Sequence, residues 1–170
     1  MDLNQFIRVV PDFPKPGISF KDITPLLLDA QAREACLQQL VAPLKELGAT
    51  KVVGVEARGF FFGMAIAREL GIGFVPVRKP GKLPFETVSE SYELEYGTDT
   101  LEIHSDAISP GDRVILHDDV LATGGTAAAS CALIQKLGGE VVACSFLMEL
   151  SFLNGRERLS NKTIYSPLSY

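Results

Sequence analysis

The residues with the most chemical content lie in one run, Val114-Ile115-Leu116-His117-Asp118-Asp119-Val120-Leu121-Ala122-Thr123-Gly124-Gly125-Thr126. An apolar stretch of strand type ends in two adjacent carboxylates, and a small-residue loop then opens a helix. Glycines let backbone amides wrap an anion closely, a helix start adds unpaired N–H groups, and threonine hydroxyls add further donors. Ala122, Thr123, Gly124, Gly125 and Thr126 therefore form a candidate phosphate cradle. Asp118 and Asp119 would repel that phosphate, so they are assigned to another part of the same ligand. A vicinal diol suits them, because each hydroxyl donates a charge-assisted hydrogen bond to a carboxylate. Phosphate beside a diol describes a ribose 5-phosphate. Rival nucleotide motifs fail: a P-loop around Gly81-Lys82 would need Gly at Pro76 and Ser or Thr at Leu83, and Gly71-Ile72-Gly73 lacks the third glycine of a dinucleotide turn.

The elements that must position this run alternate between strand and helix. Asp29 is a predicted N-cap for a helix whose Leu37, Leu40, Val41, Leu44 and Leu47 recur at helical spacing up to Gly48. Pro43 inside it predicts a kink or an earlier end. Lys51–Val55 reads as a buried strand, Gly59–Leu70 as a helix closed by Gly71, and Phe74–Val77 as a second strand. From Arg78 to about Ser91, charge, Gly and Pro predict a mobile loop. Residues 92–96 and 100–103 alternate like the arms of a hairpin. Val114–His117 is a strand, Thr126–Leu137 a helix stopped by Gly138-Gly139, and Val141–Met148 the last strand. The expected fold class is α/β, a mostly parallel twisted sheet flanked by helices, in a single domain over residues 1–170.

Composition limits what such a domain does. The chain has 170 residues, 46% of them apolar, enough for a real core. Its net charge of −5 excludes a protein whose whole surface clamps nucleic acid or anionic membrane. An anion site must then be local and shaped. Cys36, Cys131 and Cys144 are too few and too scattered for a disulfide framework or zinc site. No membrane span or secretory leader is visible, so a cytoplasmic location is expected.

The Asp118–Thr126 segment resembles the phosphoribosyl-diphosphate motif of the type I phosphoribosyltransferases, and the resemblance extends over nearly the whole chain. Phe13–Pro25 is similar to the base-recognition segment of the adenine-specific branch. Glu56-Ala57-Arg58-Gly59-Phe60 resembles the diphosphate loop, and Arg78–Pro84 with Ser91–Gly97 the flexible catalytic loop. The resemblance implies a small N-terminal hood (about residues 1–28) and a lid hairpin (78–103). It implies transfer of a ribosyl 5-phosphate from 5-phosphoribosyl 1-diphosphate to N9 of adenine, giving AMP and diphosphate. By the same likeness, Arg58, Arg78, Lys79 and Lys82 bind diphosphate, and Ser19, Phe20, Lys21 and Leu150 bind adenine.

Glu95 matches the loop glutamate that assists proton transfer on the purine, although an exposed hairpin glutamate is the alternative. Magnesium is implied through the diphosphate donor, with the carboxylate that meets it left open. A homodimer is also implied, for which Phe60-Phe61-Phe62 and Met64 would suit as a partner surface or, equally, as core. Two positions depart from the family pattern. Lys21 stands where many relatives carry Arg, and His117 stands where an aliphatic residue is usual, so His117 is read as a core histidine with a local hydrogen bond.

Overall fold

The computed structural model describes residues 1–94 and 97–170. Contacts divide the chain into two compact units, Met1–Gln39 and Leu40–Tyr170. In the first, strands β1 (Arg8–Val10) and β2 (Phe20–Asp22) pair antiparallel, with Val9 opposite Lys21. Asp22 accepts the Thr24 N–H at 2.9 Å, where the short helix α1 (Thr24–Leu28) begins. Helix α2 (Ala30–Val41) follows, and Asp29 caps it as expected by accepting the Ala32 N–H at 2.8 Å. Pro43 has the predicted effect: the α-helix stops at Val41 and a 3-10 turn continues over Ala42–Leu47, closed by Gly48.

The second unit contains β3 (Lys51–Val55), α3 (Gly59–Leu70), β4 (Gly73–Val77), β5 (Thr87–Glu93) and β6 (Thr98–His104). After these come β7 (Arg113–Leu121), α4 (Gly125–Lys136), β8 (Glu140–Glu149), and the short strands β9 (Ile164–Tyr165) and β10 (Leu168–Ser169). The main sheet has the order β10-β8-β7-β3-β4, β9 joins β8, and every pairing is parallel. Parallel strands need crossover connections, which α3 and α4 supply. The expected α/β class holds.

Two boundaries differ from the sequence reading. The loop after Arg78 ends at Glu86, because Thr87–Glu93 pairs along its full length with Thr98–His104. Long-range pairing overrides the local charge and Gly/Pro content that argued for loop. Arg78 itself is bridged to Glu102 by two backbone hydrogen bonds of 3.0 and 2.7 Å. The central strand β7 also runs four residues past His117, so the two carboxylates lie within the strand, held by pairing to β8.

One side of the sheet buries Val53, Val55, Val114, Leu116, Cys144 and Phe146 against Leu101 and Ile103 of the hairpin and Ala127, Leu133 and Ile134 of α4. The sulfurs of Cys131 and Cys144 approach to 3.8 Å inside this cluster, a contact between residues that sequence spacing left without partners. His117 is fully buried, with Nδ1 3.4 Å from Ser145 Oγ and Nε2 unpartnered among the described residues. Burial lowers its pKa from 6.5 to about 3 and keeps the ring neutral. The unfolded chain therefore takes up a proton near pH 6.5 that the folded chain refuses until about pH 3, and stability falls on acidification through that window. Urea unfolding of wild type and His117→Val between pH 7 and about 5 should show a shallower pH dependence in the variant. Equal slopes would refute this role.

Candidate active site

The site forms where β7 runs into α4. Asp118 and residues Val120–Ala127 line one concavity of about 70 Å³. The amides of the first turn of α4 have no intrahelical acceptor and form the positive end of its dipole. Gly124, the N-cap, holds φ +84°, a left-handed conformation that glycine adopts without strain. The predicted cradle residues Ala122, Thr123, Gly124, Gly125 and Thr126 are thus brought together with Asp118.

Asp119 points away from that concavity's lining into a nearly closed position, 4% exposed, with Oδ2 2.8 Å from Arg58 Nε. Its N–H donates to Asp118 Oδ1 at 2.8 Å. Enclosure and the neighbouring Asp119 charge push the Asp118 carboxyl well above the usual carboxylate range. Burial also raises Asp119, with the Arg58 guanidinium acting in the opposite direction. Ionising both at once is therefore unfavourable until hydrogen-bond donors reach them. The Arg58–Asp119 pair connects the predicted diphosphate residue to the predicted ribose pair, a link the sequence did not reveal. The two residues are 61 positions apart, so only the packing of β3 beside β7 joins them.

Glu56, at the end of β3, is a hub that sequence reasoning passed over. It accepts the Lys79 backbone N–H at 2.8 Å, lies 3.3 Å from Arg78 Nε, and contacts the Lys82 ammonium. Burial alone would raise its pKa, but these three donors outweigh it and hold the carboxyl low, at about 2. Lys79 contacts Asp99, and Asp99 Oδ2 also accepts the Tyr92 hydroxyl at 3.2 Å. All three lid cations named from sequence are therefore paired with carboxylates of this chain. Thr126 Oγ1 donates to the Tyr92 hydroxyl at 3.2 Å, which ties β5 to the start of α4.

Leu150 follows β8, partly buried, and its N–H donates to the Leu121 carbonyl at 2.9 Å beside the cradle. Ser19, Phe20 and Lys21 lie in the N-terminal unit, at and just before β2. There Phe20 packs edge-on to Phe13 with ring centroids 5.1 Å apart. Glu95, and Tyr96 beside it, lie outside the described residues. The turn Gly155–Leu159 was also missed. A methyl added to Gly155 would lie 2.3 Å from the Ala122 carbonyl oxygen, and one on Gly124 2.5 Å from the Gly155 carbonyl oxygen. The turn and the cradle meet backbone to backbone. The only sequence signal was a glycine followed by two arginines.

Residues 27–165 match the model of the phosphoribosyl transferase domain. The chain is 61% identical over its full length, and the full length of the relative, to an adenine phosphoribosyltransferase of Flavobacterium johnsoniae. It superimposes on the adenine phosphoribosyltransferase structure from Thermoanaerobacter pseudethanolicus with a TM-score of 0.97 at 53% identity, covering 99% of this chain and 98% of the other. The Saccharomyces cerevisiae enzyme, solved with adenine and an imino-altritol bisphosphate, gives 0.92 at 40% identity over 97% and 96%. A parallel sheet ending in a carboxylate pair and a helix-start anion cradle thus defines the class: the chain belongs to the type I phosphoribosyltransferases. Within that family its place is among the adenine phosphoribosyltransferases.

Proposed function

We propose that this site binds 5-phosphoribosyl 1-diphosphate and transfers its 5-phosphoribosyl group to N9 of adenine, releasing AMP and diphosphate, a purine-salvage reaction. The observation that carries the reading is that one concavity joins Asp118 to the cradle Ala122–Thr126, a spacing suited to a phosphate and a sugar diol on one ligand. Departure of diphosphate from C1 leaves a cationic, oxocarbenium-like sugar. Catalysis then consists mainly of alignment and charge stabilisation. The cradle amides and hydroxyls hold the 5′-phosphate, and Asp118 and Asp119 accept the ribose hydroxyls. Arg58, Arg78, Lys79 and Lys82 exchange Asp119, Glu56 and Asp99 for the leaving diphosphate. Because those carboxylates already neutralise the cations, donor binding swaps partners and does not fill bare charges.

Ser19, Phe20 and Lys21 with Leu150 hold adenine, and Glu95 handles the proton on the purine. The hairpin closes over the donor and excludes water that would capture the sugar cation. Residues 1–28 serve as the hood of the same single enzyme domain. No group of three or more metal-ligating side chains occurs among the described residues. A magnesium ion is carried by the donor's oxygens with at most one or two protein carboxylates. When bound, the ion neutralises diphosphate oxygens and improves the leaving group.

No helix among the described residues is long and apolar enough to cross a membrane, and we place the enzyme in the cytoplasm. It works as a homodimer. The expected partner residues divide on α3, with Phe61 and Met64 more than half exposed and Phe62 buried. The deciding assay offers adenine, guanine, hypoxanthine, xanthine and orotate with the donor and magnesium. Only adenine should be converted, and a strong chelator should stop the reaction. Preference for another base, or full turnover in metal-free buffer, would overturn the corresponding part of the reading.

A further inference from the structure

The cradle itself contains no basic residue, and two carboxylates stand beside it. A phosphate dianion held there is bound more tightly where a positive charge adds to the neutral donors. We propose that Arg158 supplies that charge, as a 5′-phosphate-binding residue that the strand–loop–helix motif does not contain; the proposal rests on the reading of the cradle given above.

Of the eight arginines, Arg8, Arg58, Arg68, Arg78, Arg113 and Arg156 approach carboxylates, and Arg33 donates to the Leu27 carbonyl. Arg158 alone makes no ion pair or hydrogen bond among the described residues. A solvated arginine on a loose loop would be unremarkable, but the frame that carries this one is built.

Gly155 lies backbone to backbone against Ala122, at a distance that admits no side chain on either Gly155 or Gly124. Leu159 is buried in the main cluster, at 2% exposure. Arg156, two residues before Arg158, grips Glu149 at the end of β8 through Nε and Nη2 at 2.7–2.9 Å. The turn is thus fixed at three points while the Arg158 head has no counter-ion among the described residues.

Its position is equally specific. Arg158 Cβ lies 3.2 Å from where a methyl on Gly124 would sit, and Arg158 Nη1 lies 3.6 Å from where one on Gly125 would sit. The side chain therefore runs from its Cβ beside Gly124 to a guanidinium beside Gly125, the first residue of α4. The other lining of that point is the Tyr92 ring, 3.2 Å from the same Gly125 methyl position. A planar fork of N–H donors here can take two oxygens of a phosphate whose third faces the helix amides.

The test measures equilibrium binding of ribose 5-phosphate and, separately, of magnesium diphosphate to wild type, Arg158→Gln and Arg158→Lys. Arg158→Gln should weaken ribose 5-phosphate about 10- to 100-fold, the loss of one charge-assisted contact. Diphosphate affinity should stay at the wild-type value, Arg158→Lys should recover part of the loss, and KM for the donor should rise far more than kcat falls. Unchanged ribose 5-phosphate affinity in Arg158→Gln overturns the proposal. So does an equal loss for both ligands, or identical behaviour of the Gln and Lys variants, which would mark a structural role. If wild type itself fails to bind ribose 5-phosphate, the reading of the cradle falls, and the proposal with it.

Discussion

Replacing Asp118 with asparagine is expected to make the protein more stable at neutral and alkaline pH while it loses most of its affinity for the ribosyl donor. The two effects share one cause. Enclosure and the adjacent Asp119 charge raise the Asp118 carboxyl, so the fold disfavours the ionised form that pH 7 otherwise demands. A carboxyl raised on folding binds more protons folded than unfolded between its ordinary value near 3.8 and its folded value. Stability therefore declines as pH rises through that interval, and the penalty is complete above it. Asparagine carries no such penalty.

Thermal melts without donor should consequently show Asp118→Asn above wild type at pH 8, with the difference shrinking toward pH 4. Donor binding should move the other way. A diol hydroxyl bound to a neutral amide loses the charge-assisted part of its hydrogen bond, so affinity should drop about 10- to 100-fold. The pair of measurements separates a strained binding residue from a structural one. A variant that is both less stable at pH 8 and unchanged in donor affinity would contradict this account. The double variant with Asp119→Asn is less clean, because Arg58 then loses its buried counter-ion as well.

Gly155→Ala is expected to damage the same site from the opposite side. The added methyl would lie 2.3 Å from the Ala122 carbonyl oxygen and 3.0 Å from Leu121 Cδ1. The close neighbour is backbone, so no rotamer change relieves it, and either the turn or the cradle must shift. Overpacking of this kind costs about 1–3 kcal/mol. For a chain of this size that corresponds to a fall of roughly 2–10 °C in melting temperature.

The functional loss should exceed the stability loss. Displacing the loop moves the phosphate amides off a geometry that tolerates little error, so KM for the donor should rise by tenfold or more. Adenine binding provides the contrast. Leu150 is held by a backbone hydrogen bond to Leu121 and is not among the nearest neighbours of the added methyl, so it should be affected less. A variant that melts early yet keeps wild-type donor KM would show that the cradle does not depend on the turn.

These outcomes indicate where the sequence was informative. The cradle and the carboxylate pair were legible because everything in them is local. Strand, loop, N-cap glycine and helix start occupy 13 consecutive positions, 114–126, and each residue's contribution follows from its own side chain or lack of one. The same holds for α3, whose ends at Gly59 and Leu70 agree with the residues read from periodicity and Gly71. The cap at Asp29 and the break before Pro43 were likewise read from nearest neighbours.

What the chain alone left undecided is every relation between separated segments. Thr87–Ser91 carries the composition of a loop, yet pairing with residues 100–104 makes it a strand. Glu56 reads as an ordinary acid until β3 and the end of β4 bring Arg78, Lys79 and Lys82 around it. Arg58 and Asp119 meet only because β3 and β7 are neighbours in a parallel sheet, and Arg158 stands over Gly125 only because a turn more than 30 residues downstream folds back on the cradle. Sequence by itself determined the local pattern: a glycine-rich loop at a helix start, an adjacent acid pair and a basic loop, on alternating strands and helices. The tertiary structure decided which charges neutralise one another and which arginine has no such partner among the described residues. Such pairings depend on distances that loop closure and sheet order set, and those are properties of the packed chain, not of any stretch of it.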